Sequence, residues 1–172
     1  TAFRPMEIQE KWAFLTEMLA HRPYRPQEMT QADIDQVIGA YAAAASRARR
    51  SGFDMVEIHG GTGYLPVQFL SPRTNRRSDG YGGTLENRMR FGLEVMAAIR
   101  KEVGSDFPLI VRMNGNDFMP GGQGRLELQE YAIALTESGT VNALCINVGW
   151  HEARVPQIVT SVPRGVFGYL SR

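Results

Sequence analysis

The chain has 172 residues, 43% hydrophobic and 22% charged, which is the composition of a globular domain with one core and excludes a disordered segment. Its 19 basic and 18 acidic residues leave a formal charge of +1, too little field to hold nucleic acid or an anionic membrane. No apolar run approaches the roughly 20 residues of a membrane helix, and no charged-then-apolar leader opens the sequence, so neither membrane insertion nor export is expected.

Residues 1–29 fit no repeating pattern and stand as an unplaced N-terminal segment, although Ile8, Trp12, Leu15 and Leu19 fall on one face of a short helix. Thr30 and Asp33 then mark a helix start. Ile34, Val37, Ile38, Tyr41, Ala45 and Ala48 follow at the spacing of one helical face until Gly52. Phe53 to His59 has the length and composition of a buried strand and ends in Gly60, Gly61 and Gly63. A polar loop rich in Gly, Arg and Asn runs to Gly83.

Thr84 is placed to cap a second helix carrying Leu85, Met89, Leu93, Met96 and Val103, with Gly104 as its stop. Leu109 to Met113 reads as a second strand, Leu126 to Ser138 as a third helix, and Asn142 to Val148 as a third strand ending at Gly149. The single cysteine, Cys145, has no internal partner and is expected to pack as a small hydrophobe, which fits a reducing, cytoplasmic setting. After Trp150 the chain reads as a loop with Pro156 and Pro163, and Gly165 to Leu170 begins a further element.

Strands alternating with helices imply right-handed crossovers and a parallel sheet, either doubly wound or closed into a barrel. The doubly wound reading needs three glycines at the first strand-to-helix turn, but Gly61 and Gly63 are followed by Pro66 where the third should be. The barrel accounts for more. Barrels draw functional groups from the C-terminal ends of several strands, and those ends carry His59 and Tyr64, then Arg112 and Asn114, then Trp150 and His151. The expected fold is therefore α/β, a section of a (β/α)8 TIM barrel over residues 30–172 with about three strand-helix units. An eight-stranded barrel takes about 250 residues, so this section is incomplete by itself and needs additional polypeptide.

The stretch Glu57-Ile-His-Gly-Gly-Thr-Gly-Tyr-Leu65 continues through Gln68 to Asp79 and on to Tyr81-Gly-Gly-Thr-Leu-Glu-Asn-Arg88. It resembles the old yellow enzyme class of NADH:flavin oxidoreductases. Gly149-Trp-His-Glu-Ala-Arg154 and Val162-Pro-Arg-Gly-Val-Phe167 narrow the likeness to the bacterial 2,4-dienoyl-CoA reductase branch. The resemblance covers about residues 30 to 170.

It implies an FMN-dependent ene-reductase that uses NAD(P)H to reduce the activated double bond of an enoyl or dienoyl substrate, CoA thioesters included. Tyr64 matches the family's proton donor, and a phenol at a strand end can protonate a carbanion without itself carrying charge. His151 matches the histidine near the substrate carbonyl, where a donor stabilises the enolate. Arg112 matches the arginine at the flavin's pyrimidine edge, where a fixed cation stabilises reduced flavin. His59 joins it among the cofactor-binding residues.

The wider class pairs the residue at His59 with an Asn or His three positions on. Here that position is Thr62, a shorter and neutral donor, which leaves the substrate open. Glu152 and Arg154 follow in the family's order in a stretch that lines the acyl-CoA pocket. Arg73 matches a substrate-contacting arginine, whereas Arg76 and Arg77 are equally well explained by a structural network with Asp79, Glu86 and Arg88. Three dispersed histidines and one cysteine hold no metal or iron–sulfur cluster, so any such cluster belongs to sequence outside this chain. Two alternatives stand beside the ene-reductase: a flavin-dependent amine or steroid oxidoreductase of the same superfamily, and a non-catalytic barrel subunit.

Overall fold

The computed structural model describes residues 27–153 and 162–171. The short helix expected over Ile8 to Leu19 lies outside them, as does Arg154. Ala32–Arg172 form one compact unit, and the elements of interest lie in it. In chain order they are α1 (Gln31–Arg50), β1 (Val56–Gly60), α2 (Leu65–Leu70), α3 (Leu85–Val103), β2 (Leu109–Asn114), α4 (Arg125–Glu137), β3 (Ala143–Asn147) and a 3-10 turn (Gly168–Ser171).

The strands form a parallel sheet in the order β1-β2-β3, so each helix between consecutive strands serves as a crossover. Register places Ile58 opposite Val111 and His59 opposite Arg112. On the other side Arg112 lies opposite Cys145, and Asn114 opposite Asn147. Because strand side chains alternate, one face of the sheet carries Ile58, Leu109, Val111 and Met113, all buried. The opposite face carries Glu57, His59, Ile110, Arg112 and Cys145, none of them buried. Cys145 is thus half-exposed in the row with Arg112, and not the packed hydrophobe that its apolar run suggests.

Two expectations change for physical reasons. Phe53 and Met55 are exposed and precede β1, because pairing begins where Val56 meets Leu109. β1 and β3 each have one neighbour, so they are half-buried and only β2 has a fully covered face. Within the expected polar loop lies α2, whose Pro66, Val67, Phe69 and Leu70 are buried. Pro66 sits in its first turn, where a missing N–H costs nothing.

α2 packs on α3 through Phe69 and Phe91, stacked 4.2 Å apart. Arg88 of α3, buried, donates from Nη1 to the Leu70 carbonyl and from Nη2 to Glu127 of α4 at 2.7 Å, joining three helices. Thr84 caps α3 by accepting from the Asn87 N–H, and Gly104 closes it at φ 75°. α3 and α4 approach closely at Gly92, where an added Cβ would lie 2.1 Å from the Tyr131 hydroxyl.

Candidate active site

Each strand ends in a loop that carries polar side chains, and Thr62 is where the loops meet. Its φ of 57° is unusual for a β-branched residue, a conformation that costs on the order of 1–3 kcal/mol and persists only when its surroundings impose it. Three contacts do so. The Thr62 N–H donates to Asn114 Oδ1 at 3.1 Å, its carbonyl accepts from the His151 N–H at 3.2 Å, and its hydroxyl lies 2.8 Å from His59 Nε2. Gly61 makes this possible, since a Cβ there would stand 2.7 Å from Asn114 Oδ1. Gly63, at φ 103°, lies against the Trp150 ring.

These constraints bring three rings together. Tyr64, half-exposed at the start of α2, lies edge-on to His59 at 5.0 Å between centroids and to His151 at 5.7 Å. His59, Thr62, Tyr64, Arg112 and His151 line one open cleft of about 610 Å³ with Tyr41, Leu65 and Asn147. Burial pushes the His59 pKa below its ordinary 6.5, and the Arg112 guanidinium beside it adds to the shift against the opposing pull of Glu57. His59 is therefore neutral at neutral pH, able to accept or donate according to tautomer.

Arg112 donates from Nη2 to Asn147 Oδ1 at 3.2 Å, while its Nε is buried and has no hydrogen-bond partner. A buried donor without a partner costs about 1–3 kcal/mol. The Arg112 guanidinium itself lines the cleft, and a fixed cation there suits the acceptor-rich pyrimidine edge of FMN. The residues present therefore fit the flavin that the sequence implies.

Of the remaining sequence-derived residues, Glu152 is exposed in the turn after His151. Arg73 is exposed and donates to the Pro120 carbonyl at 2.9 Å, so it stands in the loop layer and does not line the cleft. Arg77 pairs with Asp79 at 2.5 Å. Among the described residues no group of three or more His, Cys, Asp or Glu is placed to hold a metal ion.

Sequence reasoning missed the polar line behind Arg112. Asn147 Nδ2 donates to Asn114 Oδ1 at 3.0 Å and to the Gly149 carbonyl at 3.1 Å. Asn114 Nδ2 donates to Asp117 Oδ1 at 2.9 Å, and the wholly buried Asp117 also accepts from the Ser71 hydroxyl and the Gln123 N–H, both at 2.8 Å. The available signal was an asparagine closing each of the second and third strands.

Comparison with known proteins agrees with this geometry. The sequence model described as "NADH:flavin oxidoreductase / NADH oxidase family" matches residues 4–170. A "Metal reductase" of Desulforamulus reducens is 53% identical over 146 residues, covering 85% of this chain and 22% of that protein. An "NADPH dehydrogenase" of Geobacillus sp. (strain WCH70) is 48% identical over 114 residues, covering 66% of this chain and 33% of that protein. The solved complex of 2-naphthoyl-CoA reductase with 2-naphthoyl-CoA superimposes with a TM-score of 0.82 at 39% identity, covering 84% of this chain and 22% of that one. The chain thus spans between about a fifth and a third of the relatives it matches.

Proposed function

Because the chain belongs to the NADH:flavin oxidoreductase / NADH oxidase family, we propose that it forms the central part of an FMN-dependent ene-reductase reducing enoyl or dienoyl thioesters with NAD(P)H. The observation that carries this reading is the arrangement at three adjacent strand ends. His59, Tyr64 and His151 gather over one cleft, and the Arg112 guanidinium lines the same cleft.

When bound, FMN supplies the two-electron relay between NAD(P)H and the double bond. The protein's own groups do the rest. Arg112 holds a fixed positive charge where negative charge accumulates. His151 donates from its ring to the carbonyl oxygen of the substrate and so stabilises the enolate. The Tyr64 hydroxyl delivers a proton to the carbanion carbon, and its half-exposed position keeps it reachable from bulk water for reprotonation. Thr62 is engaged with His59, so its hydroxyl sets the tilt of that ring while its backbone sets the approach of His151.

The thioester class is supported by the neighbouring reductase solved with a naphthoyl-CoA. Glu152 and Arg154 would flank the acyl chain after His151, and Arg73, exposed away from the cleft, suits the phosphates of the carrier. Further polypeptide completes the barrel around the open face and supplies the remaining flavin contacts.

The test is anaerobic titration of the purified holoprotein followed by its visible absorbance. NADH or NADPH should bleach the flavin, and an enoyl- or dienoyl-CoA should restore the colour with one equivalent of product reduced at one double bond, the acyl-CoA from an enoyl substrate and an enoyl-CoA from a dienoyl one. Bleaching by an amine and not by nicotinamide would assign the protein to the amine-oxidising alternative. A preparation with every partner present and no flavin would leave a scaffolding role.

A further inference from the structure

Arg112 is held through a single neutral acceptor, and the identity of that acceptor matters for what the cation can do. We propose that Asn147 is the positioning residue for Arg112: its Oδ1 anchors Nη2 without cancelling the charge, and so keeps the guanidinium a fixed, unneutralised cation at the cleft for the flavin. The inference rests on the reading of Arg112 as the flavin-facing cation.

The geometry leaves the amide of Asn147 only one orientation. Its Nδ2 faces two acceptors, Asn114 Oδ1 at 3.0 Å and the Gly149 carbonyl at 3.1 Å, so Oδ1 must turn to Arg112. The reversed amide would set a carbonyl oxygen against two others and an N–H against the cation. Asn114 is fixed in the same sense, because its Oδ1 accepts from Asn147 and from the Thr62 N–H while its Nδ2 donates to Asp117. A one-way line of hydrogen bonds thus runs from Arg112 through two amides to a buried carboxylate. Each bond polarises the next.

Chemistry explains why amides and not an acid stand beside Arg112. A carboxylate at position 147 would pair with the guanidinium and offset its charge, and the cation would no longer stabilise negative charge on the bound cofactor. The two asparagines keep the one acid on the line, Asp117, two side chains away from Arg112. They preserve orientation while withholding neutralisation.

The experiment compares wild type, Asn147→Asp, Asn147→Ala and Arg112→Ala holoproteins in the midpoint potential of the bound flavin. It adds the His59 titration followed by NMR in the flavin-free protein. The charges facing His59 in this cleft are Arg112, Glu57 and His151, so a carboxylate introduced beside Arg112 reads out directly on His59. For Asn147→Asp the two-electron reduction should become about tenfold less favourable, ~30 mV more negative, and the His59 midpoint should rise. Asn147→Ala should lower the potential as well, through loss of orientation, and it carries the test should the aspartate variant not fold. Unchanged potentials in both Asn147 variants, with Arg112→Ala shifted, would overturn this inference alone. An unshifted Arg112→Ala would overturn the underlying reading of Arg112, and the inference with it.

Discussion

At the scale of single residues, the cleft is controlled by charge and by one strained threonine. His59 illustrates the first. Its folded-state pKa lies below the ordinary 6.5, by burial first and by Arg112 second. The unfolded chain therefore binds more protons between the depressed folded value and about 6.5, and stability rises with pH in that window. Thermal melts should show a contribution that is complete above pH 6.5 and disappears as pH falls to the folded pKa. His59→Gln should lose that component, and an unchanged pH slope in the variant would remove His59 as its source. Tyr64 and His151, proposed as catalytic, and His59, proposed to bind the cofactor, stand out because they sit in long stretches of family pattern. The role of Thr62 does not, since nothing in the sequence says that position 62 turns to φ 57° and spends its hydroxyl on His59. Asn147 was equally silent: it looks like any polar residue closing a strand until register sets it opposite Asn114, across from the cation.

At the scale of elements, periodicity located the long helices and all three strands, because each has a buried stripe or a run facing the helix layer. α2 escaped because its 6 residues complete fewer than two turns and open with Leu-Pro, which in sequence reads as a turn. Strand boundaries moved because the pairing partner, and not composition, decides where β1 begins. The contact between α3 and α4 offers a direct test of the packing. A methyl at Gly92 would collide with the buried Tyr131 ring, whose hydroxyl burial pushes to a higher pKa than usual. Gly92→Ala should therefore destabilise by the ~1–3 kcal/mol typical of overpacking, less the ~1 kcal/mol that alanine gains over glycine in a helix. Tyr131→Phe in the same background should recover part of the loss, and a urea midpoint that does not fall in Gly92→Ala would contradict the contact.

At the scale of the whole molecule, the described residues form three consecutive strands of a (β/α)8 barrel with the helices that connect them, their C-terminal ends converging on one cleft. No helix among them is long and apolar enough to cross a membrane. The unit count was legible from the alternation of periods, whereas the open face of the sheet was not, because apolar runs in β1 and β3 read as buried on both sides. That face carries Arg112, His59 and Cys145. We propose that Tyr64 protonates the carbon left by hydride transfer at this face. Stopped-flow separation of the two half-reactions in Tyr64→Phe holoprotein tests it most directly. Flavin content and flavin reduction by NAD(P)H should be unchanged, with substrate reduction slowed by on the order of 10² or more. Equal slowing of both half-reactions, or of neither, would contradict it.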